Sequence, residues 1–533
     1  MTSSPFERAV PRATTEDVRR SLLAREEIAL LDVREEGLYA EGHPLFAASL
    51  PVGRIEAEVF DRIPRRSTPV VVYDAGEGLA DHAAETLRAI GYTSVSCLAG
   101  GLEGWRRDGG ELFRDVNSAS KAFGEMVEAK RRTPSITASE LKGLLDADAD
   151  LVVLDARRED EFRTMSIPGG VSAPGGELVW RARATAPRPE TLVVVNCAGR
   201  TRSIIGAQSL LNAGIPNRVV ALRNGTIGWT LDGLALAHGQ TRRAPDPDEE
   251  AQPAIARAAR AVADRAGVHR LSADGLREFL REQQRTVYRF DVRDPREYEV
   301  SHVAGFRSAP GGQLVQETDV FAPVRGARVV LWDPAGARAD MTASWLAQMN
   351  CDVYVLGADA SELPHETGSW RPSRPPLPHV ALVDARAVSH AATLERVVIL
   401  DLAPSPQYLR QHIAGAWFVS VPRIREAATR WPEADRVVVT SPDGVTARYA
   451  APRVAALVDA AVSVLTGGTA AWQAAGLPMS EGPEHLSTTM TDVYKRPYEG
   501  TDNAAAAMRA YLEWEYGLVA QLERDGTHGF FVI

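Results

Sequence analysis

Cys197 is the residue best placed by its neighbours to do chemistry. It follows the β-branched run Val193-Val194-Val195-Asn196 and precedes Ala198-Gly199-Arg200-Thr201-Arg202-Ser203, after which Ile204 to Leu211 shows helical apolar spacing. That order predicts a cysteine at the tip of a buried strand, its side chain facing the amides that open a helix. Those amides have no partner inside the helix, and the macrodipole adds partial positive charge there. Arg200 and Arg202 add two full charges nearby. Together these features predict a depressed thiol pKa and a nucleophile near neutrality. An inert core cysteine is the competing reading, and two arginines in a glycine turn argue against it.

The elements that must position such a loop occur four times. Each unit begins with an apolar strand ending in aspartate: Ala29 to Asp32, Val152 to Asp155, Tyr288 to Asp291 and Val398 to Asp401. An acidic or aromatic helical turn follows, then a second apolar strand leading into the loop position. Three units close on a glycine–tryptophan signature, at Gly100 to Trp105, Asn224 to Trp229 and Gly467 to Trp472; in the third unit it decays after Leu356-Gly357. Self-similarity of this kind is the mark of a repeat architecture. Short apolar strands alternating with helical patterns independently predict α/β units.

In residue type and order these motifs resemble the rhodanese (sulfurtransferase) domain in all four copies, across roughly residues 14 to 484. The resemblance implies four tandem domains, each a small parallel sheet wrapped by helices, followed by a helical C-terminal extension. The expected boundaries are 14–117, 134–240, 266–372 and 378–484 for the domains and 485–533 for the extension. Linkers agree with that division: a helix-bearing stretch from Asn117 to Pro134, an acidic Pro-rich run from Ala244 to Glu250, and a stiff Pro-rich spacer from Trp370 to Pro378. The family loop is a six-residue cradle opened by cysteine. The related phosphatases place an arginine after five further residues, and that position is Ser203.

Only the second unit carries the cysteine. Its position is Asp74 in the first unit, Asp333 in the third and Ser441 in the fourth, so those three are expected to be inactive. An aspartate cannot hold a sulfane sulfur, and its own charge would occupy the cradle. The activity implied is ping-pong transfer of a sulfane sulfur from a donor such as thiosulfate to cyanide or a thiol through a Cys197 persulfide. The amides of Ala198, Gly199, Arg200, Thr201, Arg202 and Ser203 would stabilise the anionic sulfur, and Arg200 and Arg202 would attract an anionic donor. Asp155 and Arg157 match the family's Asp-x-Arg; as Asp32/Arg34 and Asp291/Arg293 repeat the pair without a cysteine, a structural ion pair is expected. His43, His302 and His412 occur only in units lacking the nucleophile, which predicts structural histidines. The alternatives are a multi-domain scaffold that binds a sulfur carrier, and a phosphatase or arsenate-reductase-like enzyme.

The remaining composition narrows the partners. A chain of 533 residues is too long for one core. Net charge is −10 without a long basic run, which argues against nucleic acid. No apolar stretch suggests a membrane segment or a signal peptide, and three cysteines do not make a disulfide framework; a cytoplasmic protein is expected. No cofactor and no metal are implied. The expected partners are a small-molecule sulfur donor and a thiol acceptor, with a protein sulfur acceptor as a further candidate. Asn503 to Glu523 reads as one amphipathic helix offering Met508, Tyr511, Leu512, Trp514, Leu518, Val519 and Leu522 for burial. A strap on a neighbouring domain is the favoured use, and a homo-oligomer contact the alternative.

Overall fold

The computed structural model describes residues 9–431, 434–502 and 504–533. Four five-stranded sheets follow one another along the chain, and all four have the strand order 1-5-4-2-3. Every pairing within them is parallel, as strands joined through helical crossovers must be. The central strands are buried on both faces, which is why they read as unbroken β-branched runs instead of alternating patterns. The third unit keeps this sheet although its glycine–tryptophan signature has decayed. Among the described residues no helix is long and apolar enough to cross a membrane.

Strand register brings the first aspartate to the loop. In the second unit Leu151–Asp155 pairs with Leu192–Asn196 so that Asp155 lies opposite Asn196, the residue before Cys197. The same register sets Asp32 against Tyr73, Asp291 against Trp332 and Asp401 against Thr440. Three of these aspartates hold the arginine two residues on in a fully buried, two-pronged pair: Asp32 with Arg34, Asp155 with Arg157 and Asp291 with Arg293. Each arginine also donates to one carbonyl farther along, of Gly42, Met165 and Ser301 respectively.

The fourth unit has Ala403 where the arginine would stand, and burial pushes its Asp401 carboxyl up to about 6. An acid whose folded-state pKa lies above its unfolded value binds its proton more tightly when folded, so it costs stability as pH rises from about 4 to about 6. Asp401→Asn is therefore expected to gain up to about 3 kcal/mol over the parent at pH 8 and little at pH 4. Urea titrations at the two pH values measure this difference; a gain independent of pH counts against it.

Other recurrent residues are structural as well. His43, His302 and His412 are buried and stack on Tyr39, Tyr298 and Tyr408 with ring centroids 3.8, 3.7 and 3.8 Å apart. The indoles of Trp105, Trp229 and Trp472 each donate to a carbonyl six residues on, of Glu111, Ala235 and Pro478. The glycine of that signature has a steric cause. A Cβ on Gly101, Gly225 or Gly468 would lie 2.6, 2.2 or 2.1 Å from the carbonyl oxygen of the loop's first residue, and all three have positive φ.

Two segments outside the sheets reach the second unit's loop. The helix Ser118–Arg131 is buried over its first ten residues and meets the start of helix Thr201–Asn212, where Gly124 allows close approach to Thr201. The C-terminal segment forms two helices, Ala505–Tyr516 and Leu518–Asp525, where the sequence pattern predicts one. The break falls at Gly517, a residue that disfavours the helix interior. Of the residues expected to be covered, Met508, Tyr511, Leu512, Leu518 and Leu522 are buried.

Candidate active site

Strand Leu192–Asn196 ends one residue before Cys197, and the loop turns into helix Thr201–Asn212. The backbone amide of Ser203 is directed to the Cys197 sulfur closely enough to favour its thiolate. The Ser203 hydroxyl lies against the same sulfur and donates to the carbonyl of Arg200 at 2.8 Å. Equivalent amides in the other units receive a different guest. Asp74 accepts from the amides of Gly76, Leu79 and Ala80 at 3.0, 2.6 and 3.0 Å. Asp333 accepts from Ala335 and Ala339 at 2.9 and 2.7 Å, and Ser441 Oγ from Ala447 at 3.2 Å. Two of the three cradles are thus filled by their own carboxylate, and the third by a hydroxyl.

The two loop arginines do not face the sulfur symmetrically. Arg202 makes a two-pronged pair with Glu161 at 2.7 and 2.9 Å. Burial alone would raise Glu161, but Arg202 outweighs it and holds the carboxyl at about 2. The same pair recurs in the third unit as Arg338 with Glu297, at 2.7 and 3.1 Å, where no cysteine is present. Arg202 therefore braces the loop to the helix after the first strand, while its charge still favours the thiolate. Arg200 points elsewhere. It pairs with Glu125 at 2.7 and 2.8 Å and with Glu128, both on helix Ser118–Arg131, and lies 4.2 Å from the Tyr516 ring centroid.

Cys197 itself is 2% exposed, and Ala198, Gly199, Arg200 and Ser203 are buried with it. The cover comes from the C-terminal segment: Tyr498, Met508, Tyr511 and Leu512 form one apolar cluster with Ala198 and Ile227. A methyl group on Gly199 would sit 3.2 Å from the Tyr511 ring and 3.3 Å from Glu515 Oε2. The sequence predicts a thiol of depressed pKa; in the closed structure burial pushes the Cys197 thiol up instead, against the opposing charge of Arg202 and the Ser203 hydrogen bonds. Two facts invert the sign: the loop is sealed from water, and one of its arginines is neutralised by two glutamates.

Behind this cover lies a group of charges that the loop motif did not announce. Lys121 is buried, bonds Asp115 at 2.8 Å and lies 5.6, 5.1 and 5.4 Å from the ring centroids of Tyr498, Tyr511 and Trp514. Glu515 accepts from the Tyr511 hydroxyl at 2.8 Å through Oε1. One signal for it was present in the sequence. Met508, Tyr511, Leu512 and Glu515 fall at i, i+3, i+4 and i+7, so a carboxylate occupies a position on the apolar stripe.

A rhodanese-like domain model matches residues 14–108, 137–232 and 384–475. A thiosulfate sulfurtransferase of Pseudomonas aeruginosa is 28% identical over 205 residues, covering 34% of this chain and 74% of its own length. A crystal structure of thiosulfate sulfurtransferase from Pseudomonas aeruginosa is 55% identical, with a TM-score of 0.97, covering 98% of this chain and 100% of that one.

Proposed function

Because the chain belongs to the rhodanese-like domain family, whose chemistry is sulfur transfer, we propose that it is a thiosulfate sulfurtransferase working through a persulfide on Cys197. The observation that carries the residue assignment is the comparison of the four cradles. Cys197 is the one first-position residue that can hold a sulfane sulfur, while Asp74, Asp333 and Ser441 fill their own loops.

In the first half-reaction the Cys197 thiolate attacks the outer sulfur of thiosulfate, the S–S bond breaks and sulfite leaves with the electron pair. In the second, cyanide or a thiol attacks the outer persulfide sulfur and Cys197 leaves as thiolate. The loop amides from Ala198 to Ser203 hold the persulfide charge, and Arg202 supplies the nearest positive field. Arg200, tied to Glu125 and Glu128, serves to hold the loop against helix Ser118–Arg131. Asp155 and Arg157 support the strand end beneath. Cys97, Cys197 and Cys351 are free thiols, which suits a reducing, cytoplasmic setting, and a protein sulfur acceptor fits the same chemistry.

The test is the intact mass of the protein before and after incubation with thiosulfate. A gain of one sulfur atom, reversed by cyanide, is expected; no gain with thiosulfate or other sulfane donors would sink the proposal. Asp74→Ala and Asp333→Ala should leave turnover within about twofold of the parent, since neither loop lies in the second unit. Loss of activity in a folded variant of either would mean that those units take part in the reaction.

A further inference from the structure

The C-terminal extension brings one carboxyl group to the cysteine loop that sulfur transfer, as described above, does not use. Glu515 is 1% exposed, and its Oε2 has no hydrogen-bond partner among the described residues. That oxygen faces the loop, 3.3 Å from where a Cβ would stand on Gly199. A buried acceptor left without a donor is costly, and its retention calls for an explanation. Lys121 and Glu125 of helix Ser118–Arg131, Arg200 of the loop and Tyr511 of its own helix all act on it electrostatically. Cys197 is coupled to it as well, each negative charge opposing the other.

We propose that Glu515 is the proton partner of Cys197, taking the thiol proton when the sulfur is loaded and returning it when the sulfur leaves. The sealed loop creates the need, because a buried thiol has no water to receive its proton. Sγ and Oε2 make no hydrogen bond with each other in the closed loop; as the donor enters they come within reach, the proton passes from Sγ to Oε2, the thiolate attacks the outer sulfur of thiosulfate, and sulfite departs with the S–S electron pair. When cyanide attacks the outer persulfide sulfur, thiocyanate leaves, and the proton on Glu515 returns to the Cys197 thiolate. No other oxidant, reductant or co-reactant is needed. Burial pushes Glu515 up to about 8 despite Lys121, so it can hold and release a proton near neutrality.

This assignment rests on the persulfide reading of Cys197, and the experiment separates the two. Single-turnover loading with thiosulfate, read by intact mass from pH 6 to pH 9.5, is compared in the parent, Glu515→Gln, Tyr511→Phe and Cys197→Ser. The parent rate should rise to a plateau above about pH 8. Glu515→Gln should load about 100-fold more slowly at pH 7 and keep climbing with pH, because the thiol must then ionise unaided. Tyr511→Phe removes the hydrogen bond that favours the Glu515 carboxylate, so its plateau should move to higher pH. Should Glu515→Gln fail to fold, this shift decides the matter. A parent-like rate and profile in Glu515→Gln, or an unmoved plateau in Tyr511→Phe, overturns the assignment. If Cys197→Ser still gains sulfur, the persulfide reading falls; if it is inert while Glu515→Gln loads normally, only the Glu515 role falls.

Discussion

Replacing Cys197 by serine is expected to abolish sulfur uptake and to lower turnover by a factor on the order of 10⁴ or more, with the fold retained. Chemistry decides the first part. A serine oxygen could not release sulfur to a thiol or cyanide as a persulfide does, and its hydroxyl would not ionise in a sealed loop. The fold decides the second. The fourth unit already carries Ser441 at the equivalent position, where Oγ accepts from the amide of Ala447 at 3.2 Å. In the variant, the Ser203 amide offers the new hydroxyl the same bond. Stability should fall by less than about 2 kcal/mol, as judged by denaturant titration. Intact mass with thiosulfate and the cyanide assay read the chemistry. A variant that folds like the parent yet still turns over would move the nucleophile away from Cys197.

Much of this site was legible because its determinants are local. The strand, the loop and the helix that follow one another around Cys197 are adjacent in the chain, and their order repeats in four units. Comparing the four first-position residues was enough to anticipate that Asp74 and Asp333 would occupy their own cradles, since a carboxylate among unpaired amides binds them wherever it stands. The Asp-x-Arg pairs were equally readable, because a two-residue spacing at a strand end leaves the guanidinium few other partners. What the sequence did not disclose is non-local. Arg200 looked like an anion-binding residue until Glu125 and Glu128, some seventy residues earlier, proved to hold it. The cover over Cys197 comes from Tyr498 to Glu515, about three hundred residues away in the chain. Burial under that cover reverses the expected thiol shift, and no property of the loop itself could have shown it. The same distance hid Glu515, whose place on an apolar stripe was visible but whose facing surface was not.

The second large effect is expected in stability. Asp155→Ala should cost about 3–5 kcal/mol, because it leaves the Arg157 guanidinium buried without its counter-ion. Arg157 is 1% exposed, its Nε and Nη2 reach Asp155 at 2.9 and 2.8 Å, and Nη2 also donates to the Met165 carbonyl at 2.6 Å. Asn196 Nδ2 loses its acceptor in the same change, since it donates to Asp155 at 2.8 Å. Removing both charges should be milder than removing one, as the net worth of a buried pair is small beside the cost of orphaning a partner. The fourth unit shows the orphaned case, for it keeps the sheet with Ala403 in place of the arginine while burial pushes its Asp401 carboxyl up to about 6. Asp155→Ala combined with Arg157→Leu should therefore recover at least about 2 kcal/mol of the single variant's loss, a coupling that a double-mutant cycle measures directly. Activity per folded molecule separates support from catalysis. If the pair only braces the strand end, the double variant should load sulfur within about tenfold of the parent. If it stays folded but loads as poorly as Cys197→Ser, Asp155 or Arg157 takes part in the transfer itself, and the copies at Asp32/Arg34 and Asp291/Arg293 would then be remnants of that role, no longer evidence for a bracing one.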